Sequence, residues 1–176
     1  MPTNITNVYP VQTAPLIPEK FQGMIISLMN RQYRFCAFEP MTGTTPVEAG
    51  VFVTGAVDVL GNTIVTKPIV AGAKILGVTL LNFQRILTWD VAQNCFLYPP
   101  NTIVSLLEEG DTVMYAETAV DVADPVYFRV SANAALTRIG AVTNATGVGL
   151  DLSPRAKFLE KTSAPGLVRV SIADII

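Results

Sequence analysis

The 176-residue chain contains no histidine. That absence excludes Ser-His-Asp and Cys-His nucleophile arrangements, His-ligated zinc and a histidine pH switch. Charge is scarce as well. Asp, Glu, Lys and Arg make up 15% of the residues, against about 25% in an average globular chain. The 12 basic residues are scattered among 14 acidic ones, for a net charge of −2. Nucleic-acid binding needs a basic face that displaces counterions from phosphates, so no nucleic-acid partner is expected. Cysteine is limited to Cys36 and Cys95. Two such distant thiols make no disulfide framework. Their apolar neighbours, Phe35 and Phe38 for one and Phe96 and Leu97 for the other, read them as small buried hydrophobes. A long apolar run is missing too. Residues 91–107 carry no charge but include Gln93, Asn94, Asn101 and Pro99-Pro100. A spanning helix needs about 20 mostly apolar residues, so no membrane partner is expected. Met1-Pro2-Thr3-Asn4 opens without a basic stretch or an apolar core, which predicts a mature or non-secreted product. The sequons Asn4-Ile5-Thr6 and Asn144-Ala145-Thr146 then read as chance matches.

What the chain has in excess is apolar surface. Half of its residues are hydrophobic and mean hydropathy is +0.43. With no membrane span to absorb that surplus, a large interface with other subunits is the simplest place for it. A homo-oligomer is therefore expected, and a dimer and a trimer satisfy the argument equally.

The length suits one domain plus an arm. Residues 1–20 hold Pro2, Pro10, Pro15 and Pro18, which break helices and central strands by removing backbone donors. Between them lie Ile5, Val8, Tyr9, Val11, Leu16 and Ile17. Pure linkers are poorer in such residues, so an extended arm that orders along a partner is favoured over a simple tail.

From residue 21 to 176 the punctuation is that of an all-β protein. Short runs rich in Val, Ile, Thr, Tyr and Phe are bounded by Gly, Asn, Asp or Pro. Candidate strands cover residues 22–28, 50–60, 63–66, 74–82, 102–107, 112–117, 125–130, 137–142 and 166–172. Gly61-Asn62 between β-branched runs predicts a two-residue hairpin turn. Tight turns are expected before strands at Gly50, Gly72, Glu109-Gly110-Asp111 and Asp124-Pro125. Ser153-Pro154 offers a possible helix start of at most two turns, with a strand there as the alternative. Residues 31–49 and 88–101 read as long loops, with an insertion at about 83–101. The spacing suits a compact β-barrel or β-sandwich.

Chemistry finds little purchase. Glu108, Glu109 and Asp111 sit where a solvated turn is expected, not as two facing carboxylates with separated pKa values. Asp121 and Asp124 read as a polar turn, since a calcium loop supplies several more oxygens. Gly140 to Gly147 lacks the Lys-Ser/Thr ending of a phosphate loop. No catalytic residue, cofactor or metal is expected. Aromatic and arginine residues are enriched at protein contacts. The candidates for partner binding are therefore Tyr9, Val11, Leu16 and Ile17 in the arm, Arg31, Tyr33 and Arg34, and Trp89, Phe96 and Tyr98 in the aromatic loop. The plainer alternative for that loop is a flap folded over the barrel end.

Several blocks, taken in order, carry a family resemblance. They are Ala49-Gly50-Val51-Phe52-Val53, Ile75-Leu76-Gly77-Val78, Glu109-Gly110-Asp111-Thr112-Val113 and Ala123-Asp124-Pro125-Val126-Tyr127-Phe128-Arg129-Val130. After them come Ile139-Gly140-Ala141-Val142, Ala156-Lys157-Phe158-Leu159 and Ala164-Pro165-Gly166-Leu167-Val168-Arg169-Val170-Ser171-Ile172. Over residues 20–176 the chain resembles the capsid structural cement, or head decoration, proteins of tailed double-stranded DNA phages. Residues 82–100 depart from a minimal member. The resemblance implies a β-rich protein without enzymatic activity, made in the host cytoplasm and carried on the outer surface of the virion capsid. There it would bridge neighbouring major capsid proteins as a symmetric oligomer and stabilise the mature head. The competing expectation is a phage tail, baseplate or host-facing adhesion module.

Overall fold

Short β-branched runs between turn residues become strands wherever each can cover one face of a neighbour. In the computed structural model the described residues are 20–25, 34–36, 40–68, 70–85, 87–132 and 138–173, and none of them is helical. They form β1 (Arg34–Phe35), β2 (Met41–Thr42), β3 (Val47–Glu48), β4 (Phe52–Val57), β5 (Thr63–Thr66), β6 (Ile75–Thr79) and β7 (Thr88–Asp90). They continue with β8 (Cys95–Tyr98), β9 (Leu106–Ala116), β10 (Pro125–Arg129), β11 (Val142–Thr143), β12 (Leu150–Phe158) and β13 (Gly166–Ile172). The fold is all-β.

Its centre is a closed barrel of five strands. β9 pairs antiparallel with β13, from Gly166↔Ala116 to Ile172↔Gly110. β13 pairs with β12, β12 with β10, and β10 with β11. β11 then returns to β9 through the parallel pair Val142↔Ala116. Closure leaves these strands no open edge. The inward faces alternate along each strand. Met114 and Ala116, Val168, Val170 and Ile172, Ala156 and Phe158, and Val126 and Phe128 fill the lumen.

β9 is long enough to serve a second layer. Its start pairs with β6 at Val78↔Leu107, and β6 leads on to β4, β5 and β2. A separate sheet, in the order β3-β8-β7, lies beside it. Between them sits a second core of Val47, Val51, Val53, Val65, Tyr98, Val104 and Leu106. Adjacent residues Leu106 and Leu107 thus face different cores. Further along, even-numbered Met114 and Ala116 point into the barrel where odd-numbered Leu107 did. The parity changes across the segment containing Gly110, whose φ of 136° few other residues adopt.

That continuous strand corrects the expected turn at Glu109-Gly110-Asp111: paired on both sides, the segment stays extended. Glu108 there is buried, not solvated. The expected strand at 102–107 begins only at Leu106. Gly61-Asn62 is not a two-residue turn, because the last β4–β5 pair is Val57↔Thr63. The loop spans residues 58–62, closed by Asp58 N donating to Asn62 O at 3.0 Å and Gly61 N to Asp58 O at 3.1 Å. Ser153 lies within β12, which settles the helix-or-strand alternative as strand. The long loops contain structure: β1, β2 and β3 within 31–49, and the β7–β8 hairpin within 88–101. Of the expected strand at 22–28, Ile25 makes an isolated bridge to Thr112, and residues 26–28 lie outside the described residues. β11 begins at Val142, later than expected, and Thr137 is also outside.

The first described segment is locked into this frame. Gly23 N donates to Val113 O at 2.7 Å, and Leu81 N donates to Gly23 O at 2.8 Å. Gly23 and Gly50 meet back to back, both at positive φ. A Cβ on Gly23 would lie 2.8 Å from Gly50 N, so a side chain there would displace backbone.

Candidate functional site

The β7–β8 hairpin gathers the aromatic candidates. Asp90 ends β7 and orders the turn by accepting from Ala92 N at 2.9 Å and Gln93 N at 3.2 Å. Asn94 completes it with a positive φ of 53°. The turn brings Trp89 and Phe96 opposite each other in register. Phe96 is the hub of a ring cluster. Trp89 packs edge-on to it at 4.8 Å, Phe83 edge-on at 5.5 Å and Phe21 tilted at 6.0 Å. Phe96 is half-buried, yet Phe83 is 69% and Trp89 44% exposed. This is an aromatic ledge with its outer rings facing solvent.

Tyr98 behaves differently. It is fully buried, and its hydroxyl donates to Leu80 O at 2.5 Å. Burial raises its pKa. With no exposed surface it is a core post, and its expected place at a contact is corrected to one beneath the sheet. Tyr98 shares a face of β8 with Phe96 but lies opposite Val47 of β3, which seats it in the second core, in a hairpin that sequence reading took for a loop. Tyr9, Val11, Leu16, Ile17, Arg31 and Tyr33 lie outside the described residues. Arg34 is placed by β1 opposite Glu109. Cys95 is buried, and burial pushes its thiol up to about 11. Cys36 is half-exposed, less buried than expected.

Arg138, which sequence reading missed, holds the ledge to the body. Its Nε donates to Gln93 Oε1 at 3.2 Å and its Nη1 to Gln22 Oε1 at 3.1 Å, while Nη2 donates to Gln93 O. The guanidinium also lies 4.2 Å from the centre of the Tyr115 ring. Ala49 N adds a backbone tie to Phe96 O at 2.9 Å. Lys20 at the head of the described chain pairs with Glu160.

A second exposed apolar group stands on the β4–β5 hairpin, where Val57, Val59 and Leu60 are 70%, 101% and 82% exposed. Asp58 fixes this tip. Its Oδ1 accepts from Leu60 N and Asn62 N, each at 2.8 Å, and its Oδ2 from Asn62 Nδ2 at 3.0 Å. The Asn62 contacts hold its carboxyl below the usual value.

Two buried carboxylates are engaged by cations. Glu117 receives Arg129 Nε on both oxygens, at 2.7 and 2.8 Å, and Glu48 meets Lys67 Nζ at 2.6 Å. Asp121 and Asp124 form the expected polar turn: Asp121 N donates to Asp124 Oδ2 at 2.8 Å. Among the described residues no group of three or more Cys, Asp or Glu could hold a metal ion, and no helix could cross a membrane. The arrangement offers displayed apolar surface on a stiff frame, the requirement for binding proteins.

Comparison with known proteins agrees. The family model described as structural cement protein (E217 gp24/Pam3 gp6) matches residues 11–173. No curated protein matches the sequence. Among solved structures, the fold is similar to a chain from the capsid of Myoviridae phage XM1. The TM-score is 0.61 at 17% identity, covering 88% of this chain and 91% of that one. At that identity the likeness is one of fold.

Proposed function

The chain belongs to the phage structural cement protein family, and from that premise we propose that it binds the outer surface of a phage capsid as a homo-oligomer and bridges neighbouring major capsid proteins. Its role is structural: it stabilises the capsid and resides in the virion. The family match over residues 11–173 carries this reading. It favours the capsid over a tail, baseplate or adhesion module.

The physical support lies in where apolar surface is displayed. The hairpin tip and the aromatic ledge are separate groups, and Val122 and Val148 add exposed apolar side chains elsewhere. A single small apolar contact binds weakly. Several contacts on one stiff body bind in succession at high effective concentration, so their energies compound. Both groups are borne on the layer that β9 joins to the closed barrel, so a rigid body stands behind each. Residues 1–20 act in this reading as an arm that extends the reach of the domain at 21–176, and residues 83–101 as an added contact element. The protein's output is binding energy, with no catalytic step.

The test is reconstitution. Capsids lacking this protein should take it up at many copies per particle and then resist heat better. A low copy number confined to one vertex or the tail, or unchanged heat resistance, would overturn the reading.

A further inference from the structure

We propose that Asp174, Ile175 and Ile176 continue β13 into the groove where the barrel meets its second layer, and clasp the two together. The inference does not rest on the capsid role.

Four segments make the groove. Phe52 of β4, Lys74 and Ile75 where β6 begins, Phe128 of β10, and Leu152, Ser153 and Arg155 of β12 line about 240 Å³. Small-molecule sites run to about 300–1,000 Å³, so this one is sized for a few side chains. Its floor is the buried ring pair Phe52–Phe128. Leu152 at its side is 47% exposed, and an aliphatic side chain left that bare gains from a cover. Lys74 and Arg155 are exposed at the rim. The neighbouring Asp151 carboxylate is engaged by backbone, with Oδ2 accepting from Gly72 N at 2.6 Å and Oδ1 from Leu152 N at 2.9 Å. The groove thus suits apolar side chains that bring a negative charge with them.

The register carries β13 to this place. The pairs Phe158↔Val170, Lys157↔Ser171 and Ala156↔Ile172 are followed by Ala173 N donating to Arg155 O at 2.8 Å. β12 extends past that point to Leu150. The same antiparallel register, continued, sets residues 174–176 alongside Pro154, Ser153 and Leu152. Pro154, which lacks a donor, falls at an unbonded position of that ladder. Ser153 and Leu152 line the groove, as does Arg155 where the run begins. Three residues span about 10 Å, which keeps the occupant in the same copy.

The segment's chemistry matches. Ile175 and Ile176 supply apolar side chains, and Asp174 supplies a charge opposite in sign to both rim cations. Beside a cation, its carboxylate escapes the cost of an unpaired charge at an apolar surface. β10 and β12 belong to the barrel, β4 and β6 to the second layer. A segment seated here touches both and reinforces the Asp151–Gly72 tie across the same joint.

Bonded pairs recur at every second residue of an antiparallel ladder. Leu159 N donates to Arg169 O at 2.9 Å as Ala173 N does to Arg155 O, so the next bonded pair is Ser153 with Ile175. Amide hydrogen exchange at Ser153, followed by NMR on the isolated protein, therefore reads the seat. The wild-type amide should exchange slowly. A chain ended after Ala173 should exchange it about tenfold faster, and its thermal midpoint should fall by about 2–4 °C. In the full-length chain Asp174→Lys should speed the same exchange, and adding Lys74→Glu should restore protection. That pair of variants decides the matter even if the shortened chain fails to fold. Ser153 exchange that is fast in wild type, or unchanged by losing residues 174–176, overturns the proposal. So does Asp174→Lys without effect, or without rescue by Lys74→Glu. Protection that appears only as protein concentration rises would place the segment on a second copy, and overturns it too.

Discussion

The two halves of β4 lead opposite lives. Phe52, Val53 and Thr54 are buried, whereas Gly55, Ala56 and Val57 are exposed. The first half lies beside β6 with the Phe52 ring 5.1 Å from that of Phe128. The second half runs with β5 into a tip where Val59 and Leu60 stand in solvent. The residue types differ little between the halves, so hydrophobicity alone does not separate core from display. What separates them is the frame. In the barrel apolar atoms meet apolar atoms, and stability results. At the tip the Asp58 carboxylate holds the backbone while the side chains meet nothing. A contact surface fixed in advance loses less entropy on binding, so the tip is suited to association and contributes little to folding.

The largest effects should fall in the barrel. Phe158 is fully buried, and Phe158→Ala should cost about 3–5 kcal/mol. Arg129→Ala should cost about as much, because it leaves the Glu117 carboxylate buried without its cation. Urea denaturation measures both, and a loss under about 1 kcal/mol would break the barrel side of the comparison. Tyr98→Phe comes next. It removes the hydroxyl bonded to Leu80 O and leaves a buried carbonyl short of a donor, which should cost about 1–3 kcal/mol. If Tyr98→Phe instead left stability intact and weakened capsid binding, Tyr98 would belong with the displayed group.

These two regions were not equally legible in sequence. Alternating runs announced β13 at residues 166–172 and β5 at residues 63–66 with their observed bounds, because each has one wet and one dry face. The turn expected at Glu109-Gly110-Asp111 failed for a tertiary reason. Gly and Asp there favour a turn locally, but β13 and β6 pair with the same strand and keep it extended. The β7–β8 hairpin was missed because Asp90, not a Gly-rich pair, makes its turn. Its legible signal is an Asp followed two and three residues later by the amides it caps. The ring cluster was half legible. Trp89 and Phe96 stood out by type, while Phe21 and Phe83 come from distant segments. Nothing local marks Arg138, whose partners Gln22, Gln93 and Tyr115 are spread over the chain.

Acid should touch the molecule only lightly at the Lys20–Glu160 pair, where the described chain begins. Burial pushes the Glu160 pKa up, but Lys20, the Arg169 amide at 2.9 Å and the Arg169 guanidinium outweigh it and hold the carboxyl below its usual value. A lowered folded-state pKa means stability that is complete above the ordinary carboxylate range and lost as pH falls through the folded value. The Lys20–Glu160 pair is therefore closed at neutral pH and released only in strong acid. Both partners are about a quarter exposed, so solvent screening limits the gain to roughly 0–1 kcal/mol. Thermal midpoints of wild type and Glu160→Gln should differ slightly at pH 7 and converge in acid. A gap that widens on acidification would reverse the sign and refute the pair as a stabilising contact.

The smallest stability effect is the sharpest test of display. Val59 is fully exposed and Leu60 nearly so, so Val59→Ser and Leu60→Ser should move stability by no more than about 0.5 kcal/mol in either direction. The frame of the tip is untouched, since Asp58 bonds backbone amides and Asn62, not these two side chains. Any loss in capsid uptake then reports lost contact and not lost fold. Asp58→Ala is the complement: it keeps both apolar side chains and frees the loop that carries them. If display depends on a fixed frame, Asp58→Ala should weaken uptake as the serine variants do, with the barrel's urea midpoint nearly unchanged. Uptake sensitive to the serines but indifferent to Asp58→Ala would mean that apolar area alone matters at this tip. Uptake indifferent to all three would leave the exposed half of β4 without a partner and shift the capsid contact to the ledge.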